Sequence, residues 1–489
     1  MQESLWFTQE KPDDGDGLTE INEHSSALNS QFDELHRHSR TVPPPPLADR
    51  KRVLKALGKT VLERQARVAQ SISADFSHRS VHETKLADIY TLLSTIQYTL
   101  KHIDQWAKPR PRTITFPFLP GQGEVLPQPL GLVGILAPWN YPFSLALTPF
   151  VSAVAAGNRV LLKPSEHTPR TSQLIQTLVE DIFPREWAQV SLGDAEHAKE
   201  FSSLRFDHLC FTGSSRVGRD VMRAASEHLV PVTLELGGKS PALIHSSYSM
   251  SHAVRRIVAG KMLNAGQTCI APDYALVPKH LLDTFVDAYQ KEVERCYPSL
   301  ISNPDYTSII NASQRERLRT IASEAKEAGT SMVVINPAHE NDDDSQKMLP
   351  ILAVDPPKNS ALMSEEIFGP ILPLIPYTHL DSAIAFINER PRPLAFYYFD
   401  RDRTRIRKVL NETISGGACI NDTMMHFVQD DLPFGGVGAS GMGRYHGREG
   451  FDSFSNLKSV FHQSKLSGNA LLSPPYGKRI NLLLKLFLK

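Results

Sequence analysis

The chain has 489 residues, which is too many for one ordinary hydrophobic core, so we expect two or more domains. Lys and Arg together number 53, as do Asp and Glu, and the formal net charge is zero. Proteins that bind a nucleic-acid backbone carry a basic surplus, so no nucleic-acid partner is expected. The four cysteines show no CxxC or Cys/His spacing. This argues against a disulfide framework and against a zinc or other metal site, and it favours a cytoplasmic protein.

The two chain ends differ in character. Residues 1–17 are polar, are expected to be flexible, and lack the basic and apolar regions of a signal peptide. No stretch reaches the ~18 apolar residues that a membrane span needs. The tail 466–489 ends in RINLLLKLFLK, which is too short to cross a bilayer. We expect this tail to pack against the protein body, with contact to a membrane interface as the alternative.

The first hundred residues have a helical pattern. Apolar residues recur at helical spacing from 54 to 72, and the run PPPP at 43–46 separates them from an earlier helix around 18–35. Two short strands, at 113–118 and 124–128, flank the turn-rich sequence PGQG. This pattern predicts a hairpin that projects as an arm.

From Gly131 onward, apolar strands alternate with helices. The strands are GLVGILAP, NRVLLKPS, HLCFTG and VTLELGG. Such alternation predicts an α/β fold with a parallel sheet that helices cover on both faces. Ligands of these sheets bind at the carboxyl ends of the strands. A second α/β segment follows from about 240 to 421, and then the glycine-rich FGGVGASGMGRYHG.

The candidate nucleophile is Cys269. It lies in NAGQTCIAPDY, in a loop-like stretch after a predicted helix at 253–264. A thiol attacks as the thiolate, so it needs surroundings that favour its ionisation. Taken alone, a cysteine is more often a small buried hydrophobe, and we interpret Cys210, Cys296 and Cys419 in that way.

Two further side chains could take part in catalysis. Glu235 stands in VTLELGGKS at the end of an apolar strand, where a carboxylate could act as a general base that activates water. The alternative is a solvated glutamate at a strand end. Asn140, in APWNYPF, could donate its side-chain N–H to a developing oxyanion. The alternative is an ordinary turn residue.

Two segments could bind phosphate and ribose. FTGSSRVG places Gly213, Ser214 and Gly218 between a strand and a helix, where backbone N–H groups can hold a pyrophosphate. It matches neither GxGxxG nor the Walker pattern, so it is weak by itself. In LLKPSE, Lys163 and Glu166 follow the end of another strand and could bind ribose hydroxyls, with surface charge as the alternative.

These segments together resemble a known family. APWNYPF, LLKPSE, FTGS, LELGGKSP, GQTC, EEIFGP and LPFGG, in this order across about 40–465, closely resemble the aldehyde dehydrogenase superfamily. NAGQTCIAPDY and FGGVGASGMGRYHGREGFDSFS are similar to its class 3 branch of fatty and aromatic aldehyde dehydrogenases, and there to the bacterial coniferyl aldehyde dehydrogenases. Class 1 and 2 relatives mostly carry a lysine after FGG and a later arginine–glutamate pair, where this chain has Val437 and Arg444-Tyr445.

The resemblance implies a role for each candidate. Cys269 is the nucleophile, Glu235 is the general base, and Asn140 forms the oxyanion hole with the backbone N–H of Cys269. The residues that the resemblance assigns to the cofactor are Lys163 and Glu166 for the adenosine ribose, Gly213, Ser214 and Gly218 for the pyrophosphate, and Glu366 and Phe368 of EEIFGP for the nicotinamide ribose and ring. Without the resemblance, Phe368 would be interpreted as a core residue.

The implied activity is oxidation of an aldehyde to the carboxylic acid with NAD(P). The aldehyde is aromatic, cinnamyl-type or medium-to-long-chain, and the path runs through a hemithioacetal and a thioester on Cys269, which Glu235-activated water hydrolyses. NAD is favoured because Glu166 would accept a hydrogen bond from the ribose 2′-hydroxyl and repel a 2′-phosphate. NADP is the alternative, because class 3 relatives with a glutamate at this position accept both.

The resemblance also implies how the chain is organised. It predicts a Rossmann-like NAD(P)-binding domain at 18–112 and 129–236, a second α/β catalytic domain at 237–450, and β oligomerisation elements of a homodimer at 113–128 and 451–465.

The walls of the substrate pocket are less defined by sequence. Met424, Met425 and Phe427 could line the pocket or pack between domains, and His426 is interpreted as structural. Three other functions compete with the predicted one: a CoA-acylating aldehyde dehydrogenase, a non-catalytic binding protein on the same scaffold, and a cofactor-independent cysteine hydrolase. The carboxylate at Glu235 favours hydrolysis over transfer to CoA, because CoA-acylating relatives typically lack it.

Overall fold

The first part of the chain forms a layer of helices. The structure, a computed structural model, describes residues 17–466 and 473–488, so residues 1–16 of the predicted flexible N-terminus lie outside the described residues. The apolar residues at helical spacing between 54 and 72 are fully buried, which confirms the predicted amphipathic helices. The helices are α1 (Gly17–Thr41), α2 (Leu47–Glu63), α3 (Gln65–Asp75), α4 (Val81–Thr84) and α5 (Thr91–Trp106).

A turn of π-helix, Lys85–Tyr90, joins α4 to α5. It carries Asp88, whose side chain is completely buried. Widened turns of this kind are rare and often occur at functional sites. This turn places an acidic side chain inside the protein, close to the residues of the site described below.

The arm begins with the hairpin of β1 (Arg110–Arg112) and β2 (Gln122–Pro129), which pair antiparallel. The hairpin was predicted, but the prediction of its first strand at 113–118 is wrong, because β1 precedes that segment and Phe116–Phe118 forms a 3-10 turn.

The first parallel sheet follows the arm. Its strands lie in the order β7-β6-β3-β4-β5, and all of these neighbours are parallel. Every residue of helix α6 is buried, as its small and apolar sequence predicts for a helix between packed layers. The elements are β3 (Leu132–Leu136), α6 (Ser144–Ala156), β4 (Arg159–Lys163), α7 (Pro169–Ile182), β5 (Ala188–Val190), α8 (Ala195–Ser202), β6 (His208–Gly213), α9 (Ser215–Ser226) and β7 (Val232–Leu236).

The second sheet has seven strands in the order β10-β11-β12-β9-β8-β13-β14, and only β10 is antiparallel to its neighbour. The largest hydrophobic cluster contains residues of both sheets, so the two sheets share a core. The elements are β8 (Pro241–Ile244), α10 (Met250–Met262), β9 (Tyr274–Pro278), α11 (Leu282–Cys296), α12 (Ala312–Glu327), β10 (Ser331–Val334), β11 (Ile351–Val354), α13 (Ala361–Ser364), β12 (Ile371–Tyr377), α14 (Leu380–Asn388), β13 (Ala395–Phe399), α15 (Arg403–Glu412) and β14 (Gly417–Ile420).

The glycine-rich segment returns to the first sheet. Strand β15 (Gly441–Met442) pairs antiparallel with β7, with Gly441 opposite Glu235. Residues that were predicted to belong to the second domain are therefore hydrogen-bonded to the edge of the first sheet. The domain boundaries themselves stay a prediction.

The last elements complete the arm and the tail. Helix α16 (Gly447–Ser453) precedes β16 (Ser455–His462), so the strand predicted from about 451 begins four residues later. Strand β16 pairs with β2 along its whole length, which brings the two predicted oligomerisation elements into one sheet. In the tail, α17 (Lys478–Phe487) is helical, and residues 467–472 and 489 lie outside the described residues. Over the described ranges, no helix has the length and apolar character needed to cross a bilayer.

Candidate active site

The first sheet brings four predicted site segments to one edge. Asn140 follows β3, Lys163 ends β4, Gly213 ends β6, and Glu235 lies near the end of β7. Because these strands are neighbours and parallel, their carboxyl ends meet at the same edge. Segments that lie about 95 residues apart in sequence from Asn140 to Glu235 are thereby adjacent in space.

The loop that carries Cys269 begins with a turn whose backbone conformation is strained. Helix α10 ends at Met262, and the 3-10 turn after it contains Asn264 and Ala265, both at φ +52°. This left-handed region is costly for residues with a Cβ, and strain of this kind concentrates at functional sites. Gly266 follows at φ +76°, and a Cβ there would collide with the backbone of Gly369. The turn ends three residues before Cys269, which is half-buried.

The Cys269 thiol lies in an environment that opposes its ionisation. Burial raises the pKa of Cys269 most, and the carboxylates of Glu366 and Glu235 raise it further, while the backbone N–H groups of Cys269 and Ile270 lower it. Like charges and loss of water both disfavour a thiolate. The resting side chain is therefore a neutral thiol, and both carboxyl groups are close enough to affect it electrostatically.

Asn140 is buried and tied directly to the Cys269 loop. Its Nδ2 donates to the backbone carbonyl of Gln267 at 3.2 Å. Its own backbone carbonyl accepts hydrogen bonds from Arg79 at 2.9 Å and from the Asn264 side chain at 3.0 Å. An amide nitrogen has two N–H groups, and this one has a single acceptor among the described residues. The second N–H can serve as a donor to an oxyanion near Cys269.

Glu235 is buried without a hydrogen-bond partner. Its side chain is 2% exposed, and neither carboxylate oxygen has a partner within the part of the chain that the structure describes. Burial raises the pKa of Glu235 well above its ordinary value, and Arg444 only partly counteracts this. A buried polar group without a partner costs about 1–3 kcal/mol. A carboxyl group kept under such conditions at a strand end is a functional-site candidate.

The EEIFGP segment lies against the same site. A Cβ at Gly237, just after β7, would collide with the Glu366 carboxylate, so this carboxylate lies directly against the end of the strand. Burial, and then Asp273, raise the pKa of Glu366 to about 8. Phe368, at φ +51°, is half-buried and contacts Trp139 edge-to-face with ring centroids 5.3 Å apart. Both residues that only the resemblance assigned are thus next to the strand ends.

The two residues predicted to bind the adenosine ribose, Lys163 and Glu166, are hydrogen-bonded to each other at the sheet edge. Lys163 is buried, and its Nζ donates to Glu166 at 3.1 Å and to the Pro164 carbonyl at 3.1 Å. Burial raises the pKa of Glu166, but the nearby Lys163 outweighs this and holds the pKa below its ordinary value. Glu166 is therefore an ionised, partly exposed acceptor at the sheet edge.

The predicted pyrophosphate segment is the start of helix α9. The Ser214 Oγ accepts the N–H of Val217 at 3.3 Å, so this hydroxyl caps the helix. A Cβ at Gly218 would lie 2.6 Å from Leu236, so this glycine lets the helix approach β7 closely. Its role in the structure is packing, whereas Gly213 and the helix N-terminus form the part suited to an anion.

The loop between β14 and β15 borders Glu235. A Cβ at Gly435 would lie 3.1 Å from the Glu235 Oε1, so the backbone of this loop approaches the carboxylate. In the preceding residue, the ring of Phe434 packs against Phe427 at 4.8 Å and against His446 at 5.3 Å between centroids. These aromatic side chains form a cluster in and just after the loop that borders Glu235.

The neighbouring candidates of this loop differ in exposure. Met424 is buried and Met425 is 47% exposed. His426 is buried, with Nδ1 3.2 Å from the sulfur of Cys419. This position gives His426 a contact inside the second sheet, in line with the structural role that we interpreted for it.

Sequence reasoning missed a group of buried polar residues behind Asn140, namely Arg79, Glu83, Asp88, Asn264 and Gln267. The first three come from the helical N-terminal part of the chain, where charged residues are ordinarily on the surface. Nothing in the spacing of these residues indicates that they meet a loop almost two hundred positions later. Gln267 belongs to the quoted GQTC, but no role followed from its residue type.

The comparison with protein families decides the assignment. The model of the aldehyde dehydrogenase family matches residues 9–460. This chain belongs to the aldehyde dehydrogenase family. The predicted enzyme class, an oxidoreductase that converts aldehydes to acids, is therefore confirmed.

Individual relatives agree with this assignment. The protein named "Probable coniferyl aldehyde dehydrogenase" of Pseudomonas aeruginosa is 48% identical over 94% of this chain and 97% of its own length, which confirms the predicted likeness. The substrate-bound structure of Staphylococcus aureus AldH is 37% identical, covers 94% of this chain and 99% of its own, and has a TM-score of 0.89. A Mycobacterium tuberculosis aldehyde dehydrogenase complexed with NAD+ is 27% identical, with coverages of 90% and 91% and a TM-score of 0.81. The α/β fold with Rossmann-like sheets is thereby confirmed.

Proposed function

We propose that this aldehyde dehydrogenase oxidises an aromatic, cinnamyl-type or medium-to-long-chain aldehyde with NAD, through a thioester on Cys269. One observation carries the proposal. The loop of Cys269 is hydrogen-bonded to Asn140, and its thiol is affected by the carboxyl groups of Glu235 and Glu366. A nucleophile, an oxyanion donor and a base are thus within one site.

The first step is addition of the Cys269 sulfur to the aldehyde carbonyl carbon. The thiol proton leaves to water, a C–S bond forms, and the carbonyl oxygen becomes an oxyanion. The side chain of Asn140 and the backbone N–H of Cys269 donate to this oxygen. Both donors belong to segments that are bonded to each other through Gln267, so their separation is fixed before the aldehyde binds.

The residues at the sheet edge fit a nicotinamide dinucleotide. Glu366 has a buried carboxylate oxygen without a partner among the described residues, which a ribose hydroxyl can satisfy. Glu166 and Lys163 would hold the other ribose, and the start of α9 at Gly213 and Ser214 the pyrophosphate. The bound oxidised nicotinamide supplies the acceptor for the hydride that leaves the substrate carbon as the thioester forms.

Hydrolysis of the thioester returns the enzyme to its starting state. Glu235, in its ionised form, takes a proton from water, and the hydroxide adds to the acyl carbon. The C–S bond then breaks, the carboxylic acid leaves, and the sulfur of Cys269 takes up the proton that Glu235 removed from water, which leaves Glu235 ionised again. The raised pKa of Glu235 makes it a stronger base than an exposed glutamate.

The substrate class rests on an aromatic cluster and on the relatives. Phe427, Phe434 and His446 pack their rings together in and just after the loop that borders Glu235, and ligand pockets are usually lined by aromatic and apolar side chains. A relative at 48% identity is named a coniferyl aldehyde dehydrogenase, which favours an aldehyde attached to an aromatic ring by a conjugated chain.

A kinetic panel tests the proposal. We expect the highest kcat/KM for cinnamyl-type or long aliphatic aldehydes over short ones, and for NAD over NADP, followed by the absorbance of NADH. Addition of CoA should leave both the rate and the product, a free acid, unchanged. Ester cleavage without NADH formation from any aldehyde of the panel would overturn the proposal, and an acyl-CoA product would replace hydrolysis by transfer to CoA.

We also propose a cytoplasmic homodimer that uses the arm. Strand β16 exposes Leu457 and Phe461, and the 3-10 turn between β1 and β2 exposes Phe116. Apolar side chains such as these are costly to leave in water. Sedimentation of the purified protein should give twice the chain mass, and charged substitutions at Leu457 and Phe461 should yield a monomer. A wild-type protein that sediments as a monomer at micromolar concentration would refute the dimer.

A further inference from the structure

A buried guanidinium lies directly behind the oxyanion donor. The side chain of Arg79 is 0% exposed and pairs with Asp88, whose side chain is equally buried, at 3.2 Å. Removing two charges from water costs several kcal/mol per ion, and apolar residues of the same volume would often be more stable. Stability alone therefore gives little reason for an ion pair here, and the contacts of the guanidinium indicate a different role.

Arg79 contacts the segment of Asn140 at two points. Its Nη1 donates to the backbone carbonyl of Asn140 at 2.9 Å. Its guanidinium also lies over the ring of the next residue, Tyr141, 4.7 Å from the centroid. A planar, rigid cation is suited to bonding a carbonyl and stacking on a ring at the same time, which a lysine cannot do.

The same contacts extend to the nucleophile loop. The hydroxyl of Tyr141 is hydrogen-bonded to the Thr268 Oγ1 at 2.7 Å, and Thr268 immediately precedes Cys269. On the other side, the carbonyl that Arg79 binds also accepts from the Asn264 side chain at 3.0 Å. Through one intermediate residue in each case, Arg79 is thus linked to Asn264 within the strained turn and to Thr268 after it.

The carboxyl groups of Asp88 and Glu83 in this cluster accept hydrogen bonds from backbone N–H groups of both site loops. Asp88 accepts the N–H groups of Phe143 at 3.3 Å and Ser144 at 3.0 Å, at the start of α6. Glu83 accepts the backbone N–H of Asn264 at 3.1 Å. The loop from Asn140 to α6 is therefore anchored to the π-helical turn through Asp88, and the turn before Cys269 is anchored to α4 through Glu83.

We propose that Arg79 is a positioning residue for the oxyanion hole, which sets the Asn140 amide and the Cys269 backbone N–H at the distance that the tetrahedral oxyanion requires. The inference rests on the proposed oxyanion role of Asn140. Arg79 does not touch the substrate; it acts through the Asn140 carbonyl and through Tyr141. A displacement of about 1 Å in such a donor can cost 10²-fold in rate, so the effect on turnover should exceed the effect on binding.

The test removes both charges at once. Arg79→Met/Asp88→Asn removes both members of the ion pair, and the new amide oxygen at 88 can still accept from the start of α6. Glu83, the other buried carboxyl group that Arg79 affects, keeps its hydrogen bonds from the Asn264 N–H and the Thr307 hydroxyl. We expect single-turnover NADH formation to fall by about 10–100-fold, with unchanged KM for the aldehyde and unchanged Kd for NAD. The matched control is Arg64→Met/Asp181→Asn, which removes a partly exposed Arg–Asp pair at 2.7 Å and should keep the wild-type rate.

A double-mutant cycle separates positioning from general damage. In an Asn140→Ala background the Arg79→Met/Asp88→Asn change should add little further loss, because the group it positions is gone. Losses that multiply, a wild-type rate for Arg79→Met/Asp88→Asn, or an equal loss in the Arg64→Met/Asp181→Asn control would each overturn the inference. If Asn140→Ala itself keeps the wild-type rate, the proposed oxyanion role of Asn140 is refuted. This result is distinguishable from a failure of the positioning role of Arg79 alone.

A conservative variant covers the case in which the double substitution does not fold. Arg79→Lys keeps the charge but cannot bond the Asn140 carbonyl, pair with Asp88 and stack on Tyr141 together. We expect an intermediate loss of about tenfold in single-turnover rate with unchanged Kd for NAD. A wild-type rate for this variant would overturn the positioning role.

Discussion

Two pairs of ionisable side chains at the same sheet edge differ in their hydrogen bonding and in the direction in which their surroundings shift the carboxyl pKa. Lys163 and Glu166 are bonded to each other at 3.1 Å, and the pKa of Glu166 is held below its ordinary value. Glu235 and Glu366 are withdrawn from water, have carboxylate oxygens without partners in the described ranges, and have raised pKa values. Lys163 and Glu166 neutralise each other's charge. Glu235 and Glu366 have no such partner among the described residues for these buried carboxylate oxygens.

This difference distinguishes side chains that bind the cofactor from the side chain that transfers a proton in the reaction. A side chain whose hydrogen bonds are already made can hold a cofactor without changing its protonation. A carboxyl group that is buried and unpaired can change its protonation with little reorganisation, which is what a general base needs. Substitution of Glu235 should therefore affect turnover, whereas substitutions of Lys163, Glu166 and Glu366, the proposed ribose-binding residues, should affect binding of the cofactor.

The largest effect is expected for Cys269→Ala. The variant lacks the atom that forms the thioester, so aldehyde-dependent NADH formation should be lost while NAD still binds. The measurement is NADH absorbance together with titration of NAD by protein fluorescence. Cys296→Ala, which alters an exposed cysteine, is the matched control and should retain wild-type turnover. Wild-type turnover in Cys269→Ala would show that Cys269 is not the nucleophile.

The next effect is expected for Glu235→Gln. The amide cannot take a proton from water, so steady-state kcat should fall by about 10²–10⁴-fold. Because the thioester still forms, rapid mixing should show a burst of one NADH per active site before the slow phase. In the wild type kcat should rise with pH through a pKa above the ordinary 4.5, and this rise should be absent in the variant. A variant without a burst would move the role of Glu235 to an earlier step.

A smaller loss is expected for Asn140→Ala. Removal of one oxyanion donor typically costs about 10²–10³ in kcat. The backbone N–H of Cys269 remains, so the variant should be slow and still measurable above background. Both the burst and the steady-state rate should fall together, because the donor acts on every tetrahedral oxyanion. A change in KM alone, with normal kcat, would contradict this role.

The strand ends of the first sheet were predictable because their geometry is generic. Asn140, Lys163, Gly213 and Glu235 each follow or end a strand, and parallel neighbours must bring these positions to one edge. Alternation of apolar strands and helices was enough to predict this, without any knowledge of the loops between them. Only the chemical roles of the four residues needed the resemblance.

The other parts of the site follow no such rule. Glu366 and Phe368 precede β12, at the end of a strand opposite to the one where ligands are expected. Strand β15 has two residues, Gly441 and Met442, which carry no strand pattern of their own. Arg79 reaches Asn140 from the connection between α3 and α4, and a charged residue in such a connection is indistinguishable by sequence from a surface residue. Such contacts depend on tertiary packing.

The smallest effects, on thermal stability, should have opposite signs at the two carboxyl groups. The folded pKa of Glu235 is above its unfolded value, so the stability that it contributes at low pH is lost as pH rises through the folded pKa. The folded pKa of Glu166 is below its unfolded value, so its contribution is present above pH 4.5 and is lost as pH falls. Relative to wild type at pH 8, Glu235→Gln should therefore raise Tm and Glu166→Gln should lower it.

Melting curves at pH 5 and pH 8, at one scan rate, measure both shifts. At pH 5 the gain of Glu235→Gln should shrink, because the wild-type carboxyl group is then largely protonated in the folded protein. The loss in Glu166→Gln should be the weaker of the two, since a third of the Glu166 side chain is exposed and water screens its pairing with Lys163. Shifts of the same sign at pH 8 would mean that the two carboxyl groups do not differ in protonation, and the separation of binding from chemistry at this sheet edge would lose its electrostatic basis.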